Sequence, residues 1–150
     1  MFILKREQLL HTSIREAWSF LENPHNLNQI TPPDLKFKIT TDTPEVMFDG
    51  LIIEYLITIP VIGKQRWVTE IKHIQKECSF VDEQRLGPYR FWYHQHKISQ
   101  ETKGVRSCDT VYYQPPFGVA GSLLNHLFID RTLQRIFDYR QQKLTEIFNE

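Results

Sequence analysis

Residues 118–148, GVAGSLLNHLFIDRTLQRIFDYRQQKLTEIF, hold the pattern on which the reading of the chain turns. Apolar side chains recur three and four positions apart in two sets. The first is Val119, Ala120, Leu123, Leu124, Leu127 and Phe128; the second is Leu133, Ile136, Phe137, Leu144, Ile147 and Phe148, with Arg140 on the same face. That spacing predicts one helix of about 45 Å at 1.5 Å per residue. On a wheel of 100° per residue the two sets centre about 130° apart, so the helix presents different faces along its length or bends near Asp130. A helix this long cannot bury itself, and what precedes it reads as short strands.

Upstream of the helix, Phe2 to His11 reads as a first strand. Ser13-Ile14-Arg15-Glu16 matches the capping box that opens a helix, and Ile14, Ala17, Trp18 and Leu21 give that helix one apolar face. Asn23-Pro24 starts a second short helix, with Leu27 and Ile30 inward, and Thr31-Pro32-Pro33 ends it. From Leu35 the period becomes two: Leu35, Phe37 and Ile39 alternate with Lys36 and Lys38. Further strands follow over Leu51–Ile59, Gln65–Gln75, Glu77–Leu86, Tyr89–Gln100 and Val105–Gln114, punctuated by Asp49-Gly50, Gly63, Gly87-Pro88 and Lys103-Gly104. The order implies an α+β domain over residues 1–150: a curved antiparallel sheet of about seven strands, two short helices after strand 1, and a long C-terminal helix closing a hollow.

Composition narrows the partners. At 150 residues the chain suits one domain able to bury a core without staples. Eighteen basic side chains balance eighteen acidic ones, so nothing draws the protein to phosphate backbones, and nucleic acid is not an expected partner. No apolar run approaches the 18 or so residues of a membrane span, and Lys5, Arg6 and Glu7 follow the opening residues too soon for a signal peptide. The expectation is a cytoplasmic protein with no membrane insertion. Cys78 and Cys108 read as free thiols.

The run Phe80, Asp82, Gln84, Gly87, Pro88, Trp92, His94, His96, then Asp109, Val111, Tyr113, Pro116 and Gly118, resembles the START-like (SRPBCC) superfamily, which includes lipid-transfer domains and polyketide cyclases. Thr31-Pro32-Pro33 with Leu35 and Phe37 also resembles its bacterial ligand-binding, cyclase/dehydrase-like subgroup. The resemblance covers the whole chain and implies a helix-grip fold with an apolar cavity. It implies no particular reaction, because the superfamily shares no catalytic set.

One strand carries the chemistry. Trp92, His94, His96 and Ile98 share a face. If Thr102-Lys103 is a two-residue turn, opposed positions sum to 205, setting His96 against Asp109, His94 against Val111 and Trp92 against Tyr113. A bulge at Gly104 would shift that register by one. Phe80, Asp82 and Gln84 can share the face from the preceding strand. Three uses compete: a polar floor for a ligand cavity, a satisfied structural network, or a metal centre. The His-x-His pair supplies only two metal ligands, so His73, Asp82 or Glu70 would have to converge, and no metal is expected. As acid or base groups, the candidates are His94, His96, Asp82 and Asp109.

Phe37, Tyr55, Trp67, Phe80, Trp92, Tyr113, Phe117 and Phe128, with Gln84 and Leu124, are candidates to line the hollow beside the two histidines. Loops at Gly63 and Gly87-Pro88, with Phe117 to Gly121, are candidates for its entrance. Glu54, Arg66 and Glu70 read as outward and solvated; Arg131, Arg135, Arg140 and Lys143 read as surface charges, with Arg140 snorkelling over the sheet rim. No nucleophile motif, phosphate-binding glycine loop or cofactor signature is present. The leading expectation is a binder of a small hydrophobic molecule, a lipid, isoprenoid or polyketide-like compound. A cyclase or dehydratase working through the histidines and aspartates is the alternative, and a protein-interaction domain without a ligand is a further one.

Overall fold

The computed structural model describes residues 1–149. Seven antiparallel strands form one sheet: β1 (Phe2–Leu10), β2 (Lys38–Ile39), β3 (Ile52–Ile59), β4 (Gly63–Gln75), β5 (Ser79–Leu86), β6 (Phe91–Glu101) and β7 (Gly104–Gln114), in the order β1-β7-β6-β5-β4-β3-β2. The β2 to β7 run is a chain of sequential neighbours, and β1 returns to pair with β7. Register shifts in β4 after Val68 and after Lys72 are bulges that bend a strand and steepen its twist. His73, at φ 57°, sits in the second of them.

Ser13 caps helix α1 (Ile14–Leu21) as the motif requires: its hydroxyl accepts from the Glu16 amide, and the Glu16 carboxylate accepts from the Ser13 amide. The Asn23-Pro24 segment is a 3₁₀ helix over Pro24–Ile30, and a second covers Pro33–Leu35. The strand expected from Leu35 therefore shrinks to Lys38–Ile39. Pro33 starts a tight turn rather than ending one, Leu35 is buried at its end, and Lys36 adopts a left-handed φ of 49° that extended backbone cannot absorb.

The C-terminal helix is continuous in chain but has three parts: α2 (Gly118–Leu124), a π turn (Asn125–Ile129) and α3 (Asp130–Phe148). Its inward residues are Gly121, Asn125, Ile129, Leu133 and Phe137, four apart, then Leu144. A strict four-residue step drifts about 40° per turn on an α-helix, and the wider π turn takes up part of that drift. The first apolar set was expected to pack inward, but only Leu124 packs against the core, half-buried, and the rest face out. Val119 is 90% exposed, Leu123 63%, Leu127 49% and Phe128 46%. Small Gly121 turns inward instead, because the chain just before it lies so close that a Cβ there would stand 1.8 Å from the Pro116 carbonyl oxygen.

Ties on both sides hold α3 over the sheet. Along β1, Gln8 donates to the Gln141 carbonyl (2.8 Å) and Gln141 to the Glu7 carbonyl (3.0 Å). On the side of the Pro33–Leu35 turn, Arg135 donates both arms of its guanidinium to Asp34 (3.0 and 2.9 Å). Cys78 and Cys108 are free.

Candidate functional site

Between the sheet's concave face, the short helices and α3 lies a cavity of about 170 Å³. The alternation of β6 builds its floor: Trp92, His94 and His96 are buried and line it, Ile98 is buried on the same face beyond it, and Gln95 and Lys97 face out. The Glu101↔Gly104 pair closes a two-residue turn, so the register holds as expected, with His96 opposite Asp109, His94 opposite Val111 and Trp92 opposite Tyr113. Gly104 (φ +148°) must be glycine here, since a Cβ would meet the Leu10 carbonyl oxygen at 2.1 Å. On the other side of β6, Asp82 faces His94 and Phe80 faces His96. The two carboxylates thus flank one His-x-His strand from its two neighbours.

The side chains interlock. Each imidazole spans both carboxylates: His94 reaches Asp82 through Nδ1 (3.2 Å) and Asp109 through Nε2 (2.8 Å), while His96 reaches Asp82 through Nε2 (2.5 Å) and Asp109 through Nδ1 (3.2 Å). Trp92 Nε1 donates to Asp82 Oδ1 (3.3 Å), and Arg140 donates to Asp109 Oδ1 (3.3 Å). His96 is sandwiched between the Phe80 ring (centroids 4.1 Å apart, 7° between planes) and the His94 ring (3.7 Å). Packing therefore fixes the ring positions.

Burial and charge compete in this cluster, and charge wins. Desolvation alone would raise the Asp82 carboxyl, but His94 and His96 hold it well below the usual range. Asp109 follows the same logic, with Arg140 the largest compensating charge, then the two imidazoles. Burial pushes His94 down, yet the adjacent Asp82 and Asp109 outweigh it and raise its pKa. The Tyr55 and Tyr89 phenols are pushed up by burial and stay neutral.

Arg140 is the residue the sequence reading misplaced. It does not snorkel over the rim: its side chain is 12% exposed, lies over the Phe137 ring at 5.3 Å, and enters the network through Asp109. The available signal was its place on the apolar stripe between Phe137 and Leu144, where a solvated charge does not belong. Glu54, Arg66 and Glu70 do face away, with Arg66 paired to Glu54 (2.6 Å) and Arg85 to Glu70 (3.3 Å). Glu70 and the exposed His73 are thereby removed from any metal set, whereas Asp82 does converge on the histidines.

Neither a family model nor a curated protein sequence matches the chain. Solved structures do. A START superfamily protein from Mycobacterium smegmatis superposes with a TM-score of 0.71 at 10% identity, over 97% of this chain and 98% of that one. A protein from Chromobacterium violaceum gives 0.73 at 10% identity, over 100% and 99%. The fold is START-like. A nucleoside-diphosphate sugar epimerase from Corynebacterium glutamicum carries a matching region as well (TM-score 0.65, 20% identity), covering 95% of this chain and 28% of that one. At such identities the likeness speaks for the START-like architecture alone.

Within this START-like frame, Phe37, Tyr55, Trp67, Phe80, Trp92, His94 and His96 line the cavity. Five other candidates do not. Gln84 instead clamps the β5–β6 turn, donating to the Tyr89 carbonyl (2.7 Å) and accepting from its amide (3.2 Å). Tyr113 is buried on the same face but beside the cavity, against Phe2, Tyr89 and Trp92. Phe117, Leu124 and Phe128 border a separate hollow of about 30 Å³, beside the Ile59–Ile62 turn, that shares Ile59, Tyr89 and Thr132 with the main cavity. Apolar walls missing from the expected list come from the short helices (Phe20, Leu27, Ile30), from Met47, and from Ile53, Ile57 and Ile136. Their faces depend on which way the short helices fold over the sheet, and spacing does not reveal that. No helix among the described residues is long and apolar enough to cross a membrane.

Proposed function

We propose that this START-like domain binds one compact hydrophobic molecule in the cavity between sheet and α3. One observation carries the reading: a mostly apolar hollow whose imidazole and charged lining groups, Asp82, His94, His96 and Arg140, cluster together. Ligand sites combine an apolar wall with a few placed polar groups in this way. A cavity of about 150 Å³ holds a benzene-sized guest, so about 170 Å³ suits a small ring compound or short isoprenoid better than a two-chain lipid. A ligand oxygen lodged against the polar cluster would set its orientation. The cavity also argues against the interaction-only alternative, which has no use for one.

The test is titration with an apolar fluorescent dye of the anilinonaphthalene type, with native mass spectrometry of the protein as purified. A binder takes up dye 1:1 and loses it to the co-purifying compound. Ile136→Trp, which fills the hollow from α3, should abolish uptake while the fold persists. Equal dye binding by Ile136→Trp and wild type would place the dye elsewhere and remove the support.

A second reading, cyclase or dehydratase chemistry, rests on His94. Its raised pKa and its position on the cavity wall are what a general acid needs beside a carbonyl or hydroxyl. His94→Gln with His96→Gln separates the two: a binder keeps dye affinity, and an enzyme loses turnover of the extracted compound.

A further inference from the structure

We infer that Asp82, His94 and His96 form a binding site for one divalent transition-metal ion, with its open coordination position facing the cavity. The donor atoms of these three side chains lie within 4.8 Å of one another. His94 Nδ1 and His96 Nε2 both face the same oxygen, Asp82 Oδ2, at 3.2 and 2.5 Å. Ligands of a tetrahedral zinc ion at about 2.0–2.1 Å stand roughly 3.3 Å apart, so the first separation already fits and the second needs to open by under about 1 Å.

The surroundings complete the argument. The other nitrogen of each ring, His94 Nε2 and His96 Nδ1, faces Asp109 Oδ1 at 2.8 and 3.2 Å. Both carboxylates can only accept, so Asp82 and Asp109 compete for the ring protons; with the protons held on the Asp109 side, the two nitrogens that face Asp82 present lone pairs. In that tautomer three lone-pair sites converge on one point, which a metal cation can occupy in place of the proton. With neutral imidazoles, two carboxylates against the Arg140 guanidinium leave the cluster one negative charge. A carboxylate behind a metal-bound imidazole is the usual outer partner, and here one carboxylate serves both rings, anchored by Arg140 at 3.3 Å. Trp92 Nε1 steadies the free oxygen of Asp82. All three ligands line the cavity, and two histidines with one carboxylate suit zinc, cobalt or ferrous iron with positions left for a guest.

The experiment uses the untagged chain of residues 1–150, stripped with chelator and titrated with Co²⁺ followed by Zn²⁺. The expected result is uptake of one Co²⁺ with the intense visible bands of a low-coordinate site, displaced by Zn²⁺. Asp82→Asn and His96→Gln should abolish uptake, and Asp109→Asn should weaken it by about 10–100-fold without changing the stoichiometry. If those variants do not fold, wild-type NMR decides: bound Co²⁺ should broaden Trp92, His94 and His96 and spare exposed His11 and His73. No Co²⁺ uptake by the folded wild type, uptake unchanged in folded Asp82→Asn, or broadening confined to His11 and His73 would each overturn the site. Dye binding in the cavity is scored separately, so loss of the metal site leaves the binding proposal standing.

Discussion

Replacing Arg140 with leucine tests whether the buried network contributes as its geometry implies. The guanidinium is 12% exposed and donates to Asp109, a side chain 13% exposed. Leucine keeps the apolar contact with Phe137 and removes only the charge and its hydrogen bond. Breaking a buried ion pair from one side costs about 3–5 kcal/mol, because the partner's charge stays buried and uncompensated. Asp109 retains His94 and His96, so the lower end, about 3 kcal/mol, is expected near pH 8. For a chain of this length that is a fall in Tm of roughly 6–12 °C. As pH falls through the raised pKa of His94, its imidazolium supplies part of the missing charge, and the loss should shrink. The assay is urea unfolding of wild type, Arg140→Leu, Asp109→Asn and the double variant at pH 6 and 8. A cycle coupling of at least about 1 kcal/mol is expected for residues in contact. Strictly additive effects, or an Arg140→Leu loss under about 0.5 kcal/mol at pH 8, would refute the reasoning.

The metal-free protein should have an asymmetric pH–stability profile. The folded pKa of His94 is raised, so its stabilisation is complete below about pH 6.5 and is lost as pH climbs through the folded value. Asp82 and Asp109 are depressed, so theirs is present above about pH 3.9 and is lost as pH drops through their folded values. Urea midpoints from pH 3 to 9 check this, and a wild-type slope above pH 6.5 identical to that of His94→Gln would contradict it. Gly121→Ala should destabilise by about 1–3 kcal/mol, opposite in sign to the usual helical gain, because its Cβ would meet the Pro116 carbonyl oxygen at 1.8 Å; thermal melting reads it directly. Ile136→Trp should keep a native circular dichroism spectrum and lose cavity dye uptake, since it occupies space that wild type leaves open.

How far the sequence was legible depended on the range of the signal. Ser13 with Glu16 marked the start of α1, and Lys103-Gly104 set the β6–β7 register that brings His96 to Asp109. Both act within a few residues: the capping box leaves one outcome, whereas the turn left two registers one position apart, and the Glu101↔Gly104 pair decides between them. Leu35 misled, because its alternation with Lys36 and Phe37 is also compatible with a 3₁₀ turn once Pro33 starts one. Val119 and Leu123 misled for a different reason: helical spacing tells which residues share a face, and not whether anything packs there. Arg140 was seen on the right face and given the wrong environment.

The sequence by itself determined the strand and helix order and the shared face of His94 and His96, since these follow from periodicities of two and 3.6 and from turn chemistry. Only the tertiary structure decided that Asp82 and Asp109 close on the same two rings from opposite sides, that Arg140 turns in to Asp109, and that Gly121 rather than Val119 meets the preceding chain. Those outcomes depend on distances between segments far apart in sequence, set by how the sheet curves and where the last helix settles across it.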